Sequence, residues 1–217
     1  MEALTGRLLA TFADALGVRK DFFDDKIDKH VTNLVALRYP PLGAASATDQ
    51  PREATAMGAT GCGEEEACVL RVKPHTDPTD ITILAFEEGP NGLQVLPDGC
   101  ADWVDVPHVP GSLLVNLGDV LRFWTNDVWR STRHRVVTRR GVIGDGGDRL
   151  SLVFFHMPNY DAVIDCEDLG AAVVGPDRPR RFPAFKSGER SHFAQLVRNE
   201  KGLPDRQTLK EDNARGE

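Results

Sequence analysis

The sequence predicts a mainly β protein with helices near both ends of the chain. Turn signals such as Pro90-Asn91-Gly92 and Pro97-Asp98-Gly99 separate short runs rich in apolar and β-branched residues. Many short strands with frequent turns are typical of a β-sandwich or barrel, and a chain of this length commonly forms one such domain. The expected strands lie at 67–73, 81–86, 93–96, 102–106, 112–116, 133–138 and 149–156.

Helical spacing of apolar residues precedes this strand-rich region. Leu4, Leu8 and Phe12 share one helical face before Gly17, which predicts an amphipathic helix over 3–16. An apolar run after it predicts a buried strand that stops at a proline pair, because proline lacks the N–H that a strand must donate. The further expected elements are a helix at 20–29, this strand at 34–39, a surface loop at 43–66 and a helix at 188–199.

The predicted elements form one domain over residues 1–200. It consists of a helical lead-in, a strand-rich core and a C-terminal helix, followed by a polar tail that buries too little apolar surface to fold alone. The corresponding ranges are 1–30, 34–166, 188–199 and 201–217.

Composition excludes several classes of protein. The 26 Lys and Arg residues against 33 Asp and Glu give a net charge of −7, which is not the concentrated basic surface that nucleic acids require. No apolar stretch approaches the ~20 residues of a membrane span, and the first residues lack a secretory signal pattern. We therefore expect a cytoplasmic protein that binds neither nucleic acid nor membrane. Its four cysteines are scattered without a C-x-x-C motif and are expected to be reduced.

Two histidines and one carboxylate have the types and spacing of a metal site. In His75-Thr76-Asp77 the first and third side chains would lie on one face of an extended segment, and His134 would come from a distant strand. Two imidazoles and one carboxylate are the ligands of a facial triad, which leaves coordination positions open on Fe(II). A structural zinc site would need a fourth ligand. Among β-rich folds, the double-stranded jelly roll suits a metal site in its mouth.

Further motifs follow in a fixed order and extend this interpretation. Asn116-Leu117-Gly118-Asp119 and Trp124-Thr125-Asn126 precede His134, and Arg149-Leu150-Ser151 follows it. With these motifs, the chain from about Leu4 to Leu196 resembles the iron(II)- and 2-oxoglutarate-dependent oxygenases, in their isopenicillin N synthase-like branch. The resemblance implies a double-stranded β-helix and a dioxygenase, an oxidoreductase that uses Fe(II), O2 and 2-oxoglutarate as co-substrate. It also implies that the iron ligands are His75, Asp77 and His134.

A second group of residues could hold the co-substrate. Arg149 and Ser151 alternate onto one strand face and offer a guanidinium fork and a hydroxyl, which together can bind a carboxylate. In the resembled family these positions hold the distal carboxylate of 2-oxoglutarate. Tyr39 corresponds to the tyrosine of the family's N-x-Y-P pattern, although Leu37 stands where that pattern has asparagine. The alternative role for Tyr39 is that of a core tyrosine at the end of a strand.

The same strands predict the substrate pocket. Alternation along them places Val35 and Leu37 on one face with Tyr39, and Phe155 and Met157 on one face with Ser151. With Thr76 from the metal motif, these side chains would form an apolar pocket for a small, apolar metabolite, unless they are simply core residues.

Three functions remain open from the sequence. The first is 2-oxoglutarate-dependent hydroxylation or related C–H oxidation, the second is a 2-oxoglutarate-independent iron oxidase of the isopenicillin N synthase type, and the third is a non-catalytic jelly-roll metal-binding protein. Stoichiometric succinate formation separates the first two. The resembled family usually has a longer N-terminal part, which we expect to be missing here. Apolar surface left by it would then be covered by the 43–66 loop or by a second copy in a homo-oligomer.

Overall fold

The computed structural model describes residues 1–40, 68–87, 92–139 and 149–189. The predicted loop at 43–66, the tail at 201–217 and all of the predicted 188–199 helix except its first two residues lie outside these ranges.

Most of the described secondary structure is β-strand. The predicted strands at 81–86, 93–96 and 149–156 are confirmed with the same bounds, whereas the predicted helix at 20–29 is reduced to one turn, α2. The helices are α1 (Glu2–Ala15), α2 (Asp24–Ile27) and α3 (Asp119–Trp124), with a 3-10 segment at Cys166–Ala172. The strands are β1 (Asn33–Tyr39), β2 (Cys68–His75), β3 (Ile81–Phe86), β4 (Leu93–Leu96), β5 (Val104–Asp105), β6 (Leu114–Leu117), β7 (Arg133–Arg139), β8 (Arg149–His156), β9 (Val163–Ile164) and β10 (Phe185–Lys186).

The chain divides into two compact units. The strand unit contains Thr32–Gly118 and Arg130–His156, and the helical unit contains Glu2–Val31, Asp119–Trp129 and the described chain from Met157 onward. The single domain expected from the sequence stays a prediction.

The described residues of the strand unit form two four-stranded sheets, in the orders β1-β8-β3-β6 and β2-β7-β4-β5. All strand pairs within them are antiparallel. Apart from β4 and β5, strands that are neighbours in the sequence do not pair with each other in these two sheets: β8 lies between β1 and β3, and β7 lies between β2 and β4. This order brings the ends of distant chain segments together, as the jelly roll expected from the sequence requires.

Strand alternation in β8 sorts its side chains between two environments. Ser151 and Val153 are buried, whereas Leu150 and Leu152 on the opposite face are 44% and 49% exposed. The buried face of β8 is therefore the one that carries the residues predicted to bind the co-substrate.

The helical unit packs around aromatic side chains. Phe23 and Trp124 are fully buried and meet edge to face at 5.2 Å between ring centroids, while α1 buries Thr5, Leu9 and Ala13. All six residues of α3 are buried, so the segment lacks the exposed face of an amphipathic surface helix. No helix in the described ranges is long and apolar enough to cross a membrane.

Candidate metal and co-substrate site

The two predicted histidine ligands are neighbours on adjacent strands. β2 ends at His75, and the β2–β7 register places His75 directly opposite His134. Their imidazole ring centroids are 4.2 Å apart. Asp77 is 3% exposed and lies in the connection from β2 to β3, two residues beyond the end of the strand. The carboxylate therefore reaches the histidines from the connection that follows β2, outside the strand itself.

The three side chains form one cluster of metal-ligand type. Oδ1 of Asp77 lies 3.7 Å from Nε2 of His75 and 3.5 Å from Nε2 of His134. Across all three residues the ligand atoms lie within 4.8 Å of one another, and no other His, Cys, Asp or Glu of the described residues joins the group. The donor set of two imidazoles and one carboxylate fits Fe(II) with open coordination positions.

Backbone carbonyls set the protonation of both imidazoles. Nδ1 of His75 is 2.8 Å from the carbonyl oxygen of Lys73, and Nδ1 of His134 is 3.1 Å from that of Thr132. Because a carbonyl oxygen only accepts, Nδ1 carries a proton in each ring, and Nε2 is the nitrogen that faces Asp77. Nε2 is therefore the atom that each ring would offer to a metal ion.

The carboxylate of Asp77 is oriented by two polar side chains that face each other across strands. Thr82 on β3 pairs with Asn116 on β6. The Asn116 side-chain amide donates to Oδ2 of Asp77 at 2.8 Å, and the Thr82 hydroxyl also bonds to this carboxylate. Oδ1 is the oxygen nearest both histidines.

These contacts keep Asp77 ionised. Burial raises the pKa of the Asp77 carboxyl, but the hydrogen bond and charge of His134, together with hydrogen bonds from Asn116 and Thr82, outweigh burial and hold the pKa below its ordinary value. Asp77 is therefore an anion, which is the form that binds a cation.

The residues predicted to hold the co-substrate also meet in the structure. The β1–β8 register pairs Tyr39 with Arg149 and Leu37 with Ser151. The Arg149 guanidinium carbon lies 4.8 Å from the Tyr39 ring centroid. Burial lowers the pKa of Arg149, and the charge and hydrogen bond of Tyr39 oppose this only in part. The guanidinium nevertheless stays charged at neutral pH, as arginine does in proteins.

Ser151 supplies a structural test of this assignment. Its Oγ is buried and has no hydrogen-bond partner among the described residues. Buried hydroxyls in folded proteins are nearly always hydrogen-bonded, so an orphaned one on a cavity wall indicates a bonding partner from a ligand. A carboxylate held by the Arg149 fork would provide that partner.

One cavity contains both groups. It measures about 280 Å³, and its lining includes the three predicted metal-ligand residues together with Tyr39, Arg149 and Ser151. Of the residues predicted for the substrate pocket, Val35, Leu37 and Phe155 line this cavity. Thr76 and Met157 lie outside the lining; β8 ends at His156, so its alternation does not extend to Met157. The remaining lining residues are Val72, Thr82, Leu84, Leu93, Val95, Leu114, Asn116, Thr132 and Val153.

Thr82 and Thr132 were not identified from the sequence, and Asn116 was noted only as part of a motif. Alternation along β3 could have placed Thr82 and Leu84 on one face, but the direction of that face depends on the pairing with β6. Such pairing is a property of the folded sheet, so a single sequence does not reveal it.

The comparison with protein families identifies this arrangement. The sequence model of the 2OG-Fe(II) oxygenase superfamily matches residues 34–158, which is more than half of the chain and covers all six residues of the metal and co-substrate groups. The chain belongs to this superfamily.

Relatives within the superfamily are named as dioxygenases. Gibberellin 2-beta-dioxygenase 8 of Arabidopsis thaliana is 30% identical over 199 residues, which are 92% of this chain and 47% of that protein. Validamycin A dioxygenase of Streptomyces hygroscopicus subsp. limoneus is 32% identical over 175 residues, which are 81% of this chain and 42% of that protein. The chain thus spans about half the length of the curated relatives it matches.

Solved structures confirm the fold expected from the sequence. A full-length Neurospora crassa protein in complex with alpha-KG and thymine matches with a TM-score of 0.71 and 25% identity, over 90% of this chain and 53% of that one. A 2OG-Fe(II) oxygenase family protein from Caulobacter crescentus matches with a TM-score of 0.67 and 28% identity, over 92% of this chain and 55% of that one. As in these 2OG oxygenases, the strands of this chain form a jelly roll.

Proposed function

We propose that this chain carries the active site of an Fe(II)- and 2-oxoglutarate-dependent dioxygenase that oxidises a C–H bond of a small, apolar metabolite. The observation that supports the proposal most directly is the shared cavity. A cluster suited to Fe(II) and an arginine–serine–tyrosine group suited to a carboxylate line the same space of about 280 Å³.

Each group has a defined binding task. Nε2 of His75, Nε2 of His134 and Oδ1 of Asp77 would hold Fe(II), and the open positions would take the 2-oxo acid end of the co-substrate and O2. The distal carboxylate would lie against the guanidinium of Arg149 and the hydroxyl of Ser151. When bound, Fe(II) supplies the activation of O2 that couples decarboxylation of 2-oxoglutarate to substrate oxidation.

The chain's other contribution is to orient the side chains that would bind the metal. Asn116 and Thr82 fix the carboxylate of Asp77 through its hydrogen bonds, while the Lys73 and Thr132 carbonyls fix the two imidazoles. Such supporting contacts preserve the geometry of metal ligands, and their loss typically weakens metal binding.

The composition of the lining supports an apolar substrate. With the assignments above, Thr132 contributes the single polar side chain of the described lining that has no role toward the metal or the co-substrate. The rest of the lining is aliphatic or aromatic. The cavity volume is also near the lower end of the ~300–1,000 Å³ typical of small-molecule sites, and two molecules must share it. We therefore expect a small apolar molecule, or one that inserts a small apolar part.

The decisive test is an anaerobic titration of the Fe(II)-loaded protein with 2-oxoglutarate, followed by a metabolite screen. We expect a weak visible charge-transfer band on binding and stoichiometric succinate with a true substrate. Oxygen consumption with a carboxylate-bearing substrate and without succinate would support the 2-oxoglutarate-independent oxidase. Metal binding without the band or any turnover would support the non-catalytic metal-binding protein.

A cytoplasmic location and a small-molecule substrate as the binding partner are part of the same proposal.

A further inference from the structure

Arg71 occupies an irregular position on β2. The β2–β7 register pairs Leu70 with Val137 and Val72 with Val136. Between these two pairs β2 has one extra residue, which makes a β-bulge. Arg71 is the additional residue. Bulges of this kind change the direction of a side chain and are frequent beside active sites. Val72, the next residue, lines the cavity.

The redirected side chain of Arg71 reaches the end of β1. Its Nη2 donates a hydrogen bond to the carbonyl oxygen of Pro40 at 3.0 Å. Its guanidinium carbon lies 5.8 Å from the ring centroid of Tyr39. Because Arg149 contacts the same ring at 4.8 Å, Tyr39 is in contact with two guanidinium groups, one from each sheet.

The residue two positions before Tyr39 makes this contact more important. Leu37 lines the cavity where the family's N-x-Y-P pattern has an asparagine. A leucine has no hydrogen-bonding side chain, so it supplies no polar contact that could orient the co-substrate or the tyrosine. The two guanidinium groups are therefore the cationic groups that the structure places against the Tyr39 ring.

We propose that Arg71 is a positioning residue for the co-substrate: it holds Tyr39 against Arg149 and so strengthens binding of the distal carboxylate of 2-oxoglutarate. This inference rests on the proposed function. The inference adds Arg71, which lies outside the cavity lining and would act through Tyr39, which belongs to the lining. Cation–π contacts at partly desolvated sites are strong enough for such a role.

The test compares Arg71→Gln and Arg71→Lys with Arg38→Gln. Arg38 is exposed and precedes Tyr39 in the sequence. Its substitution removes one positive charge close to Tyr39 but leaves the contact between Arg71 and the Tyr39 ring in place. The Kd for 2-oxoglutarate is measured anaerobically on Fe(II)-loaded protein, and the Kd for Co(II) and the thermal midpoint are measured on each variant.

We expect Arg71→Gln to raise the Kd for 2-oxoglutarate by about 3- to 30-fold, as loss of a contact of this class would. Arg71→Lys should lie between the parent and Arg71→Gln, because the ammonium keeps the charge but loses the planar fork. Arg38→Gln should bind like the parent. The Kd for Co(II) should not change in any variant. Equal 2-oxoglutarate affinities for Arg71→Gln and Arg38→Gln in folded proteins would overturn the proposal.

A double-mutant cycle tests whether Arg71 acts through Tyr39. In a Tyr39→Leu background, Arg71→Gln should have no further effect on the Kd for 2-oxoglutarate, since the contact is already lost. A full effect in that background would contradict the positioning role. If the parent protein binds Fe(II) but not 2-oxoglutarate, the proposed function fails and this inference fails with it. If the parent binds 2-oxoglutarate normally, a negative result concerns Arg71 alone.

Discussion

His156 and Asp80 form a buried hydrogen-bonded pair at the end of β8. Nδ1 of the imidazole lies 2.9 Å from Oδ1 and 2.8 Å from Oδ2 of the carboxylate, and the two side chains are 2% and 1% exposed. Oδ1 of Asp80 also accepts the N–H of Ile81 at 2.6 Å. No sequence pattern assigned His156 a role, because its partner is 76 residues away.

The backbone of Asp80 makes two further connections. Its N–H donates to the carbonyl of His156 at 3.3 Å, and its carbonyl accepts the N–H of Gly118 at 2.9 Å. Gly118 must approach closely here, because an added Cβ would lie 2.1 Å from the carbonyl oxygen of Thr79. Asp80 therefore joins the start of β3 to the ends of β6 and β8, and it anchors the connection that carries Asp77.

Asp80→Ala and His156→Ala should each destabilise the protein. Removal of one partner leaves the other buried without its bond, which costs about 1–3 kcal/mol, and more for a charged group. Urea unfolding monitored by circular dichroism measures the effect. Asp21→Ala is the control, because Asp21 pairs with Arg19 on the exposed surface and its loss should leave the unfolding midpoint unchanged. Equal midpoints for Asp80→Ala and Asp21→Ala would show that the buried pair does not stabilise the fold.

Each of His75→Ala, Asp77→Ala and His134→Ala should abolish stoichiometric iron binding and turnover. Each substitution removes one of the three protein ligands of the proposed open site. Metal content after anaerobic reconstitution and oxygen consumption provide the measurements. His108→Ala serves as the control, since His108 packs against Phe86 outside the cluster. Full iron loading with normal activity in His134→Ala would exclude the assignment.

Asn116→Ala and Thr82→Val should weaken Fe(II) or Co(II) binding by about 10- to 100-fold, the usual effect of losing a hydrogen bond that orients a metal ligand. Both changes remove donors to the carboxylate of Asp77. Thr82→Ser is the matched control, because it retains the hydroxyl and should keep most of the affinity. Isothermal titration with Co(II) measures the change. If Thr82→Val and Thr82→Ser bind Co(II) equally well, the hydroxyl does not support Asp77.

Arg149→Ala should raise the concentration of 2-oxoglutarate needed for half-maximal activity by about one to three decades, while iron content stays normal. Losing one partner of a buried charge pair costs ~2–5 kcal/mol, and ~1.4 kcal/mol corresponds to one decade. Arg149→Lys should restore only part of the affinity, since an ammonium cannot form the bidentate pair. Succinate formation against 2-oxoglutarate concentration measures both. Unchanged 2-oxoglutarate dependence, together with weaker binding of a carboxylate-bearing substrate, would favour the oxidase alternative.

Ser151→Ala separates the roles of the two co-substrate residues. Because the buried Oγ has no partner among the described residues, its loss should not lower the free energy of unfolding, and yet it should weaken 2-oxoglutarate binding. Thermal unfolding without ligand and an anaerobic 2-oxoglutarate titration are the two measurements. A large loss of stability in the ligand-free protein would mean that Ser151 supports the fold instead.

Local sequence determined much of this protein. The strands at 81–86, 93–96 and 149–156 could be bounded because their apolar runs end at turn or polar residues. The spacing of His75 and Asp77, and that of Arg149 and Ser151, is fixed by the covalent chain, so each pair could be recognised without a fold. The order of these motifs was sufficient to indicate the family that the sequence model then identified.

Tertiary structure alone decided which of these local features meet. Three features depend on contacts between strands that are distant in sequence. They are the register that sets His75 opposite His134, the pairing of Thr82 with Asn116, and the bulge at Arg71, whose side chain contacts Tyr39. Strand pairing is selected by burial of whole sheet faces, and a shift of one residue would reverse every side chain. The sequence shows the alternation of polar and apolar residues along each strand. Which strands pair with one another is decided only in the folded protein, when the two sheets pack.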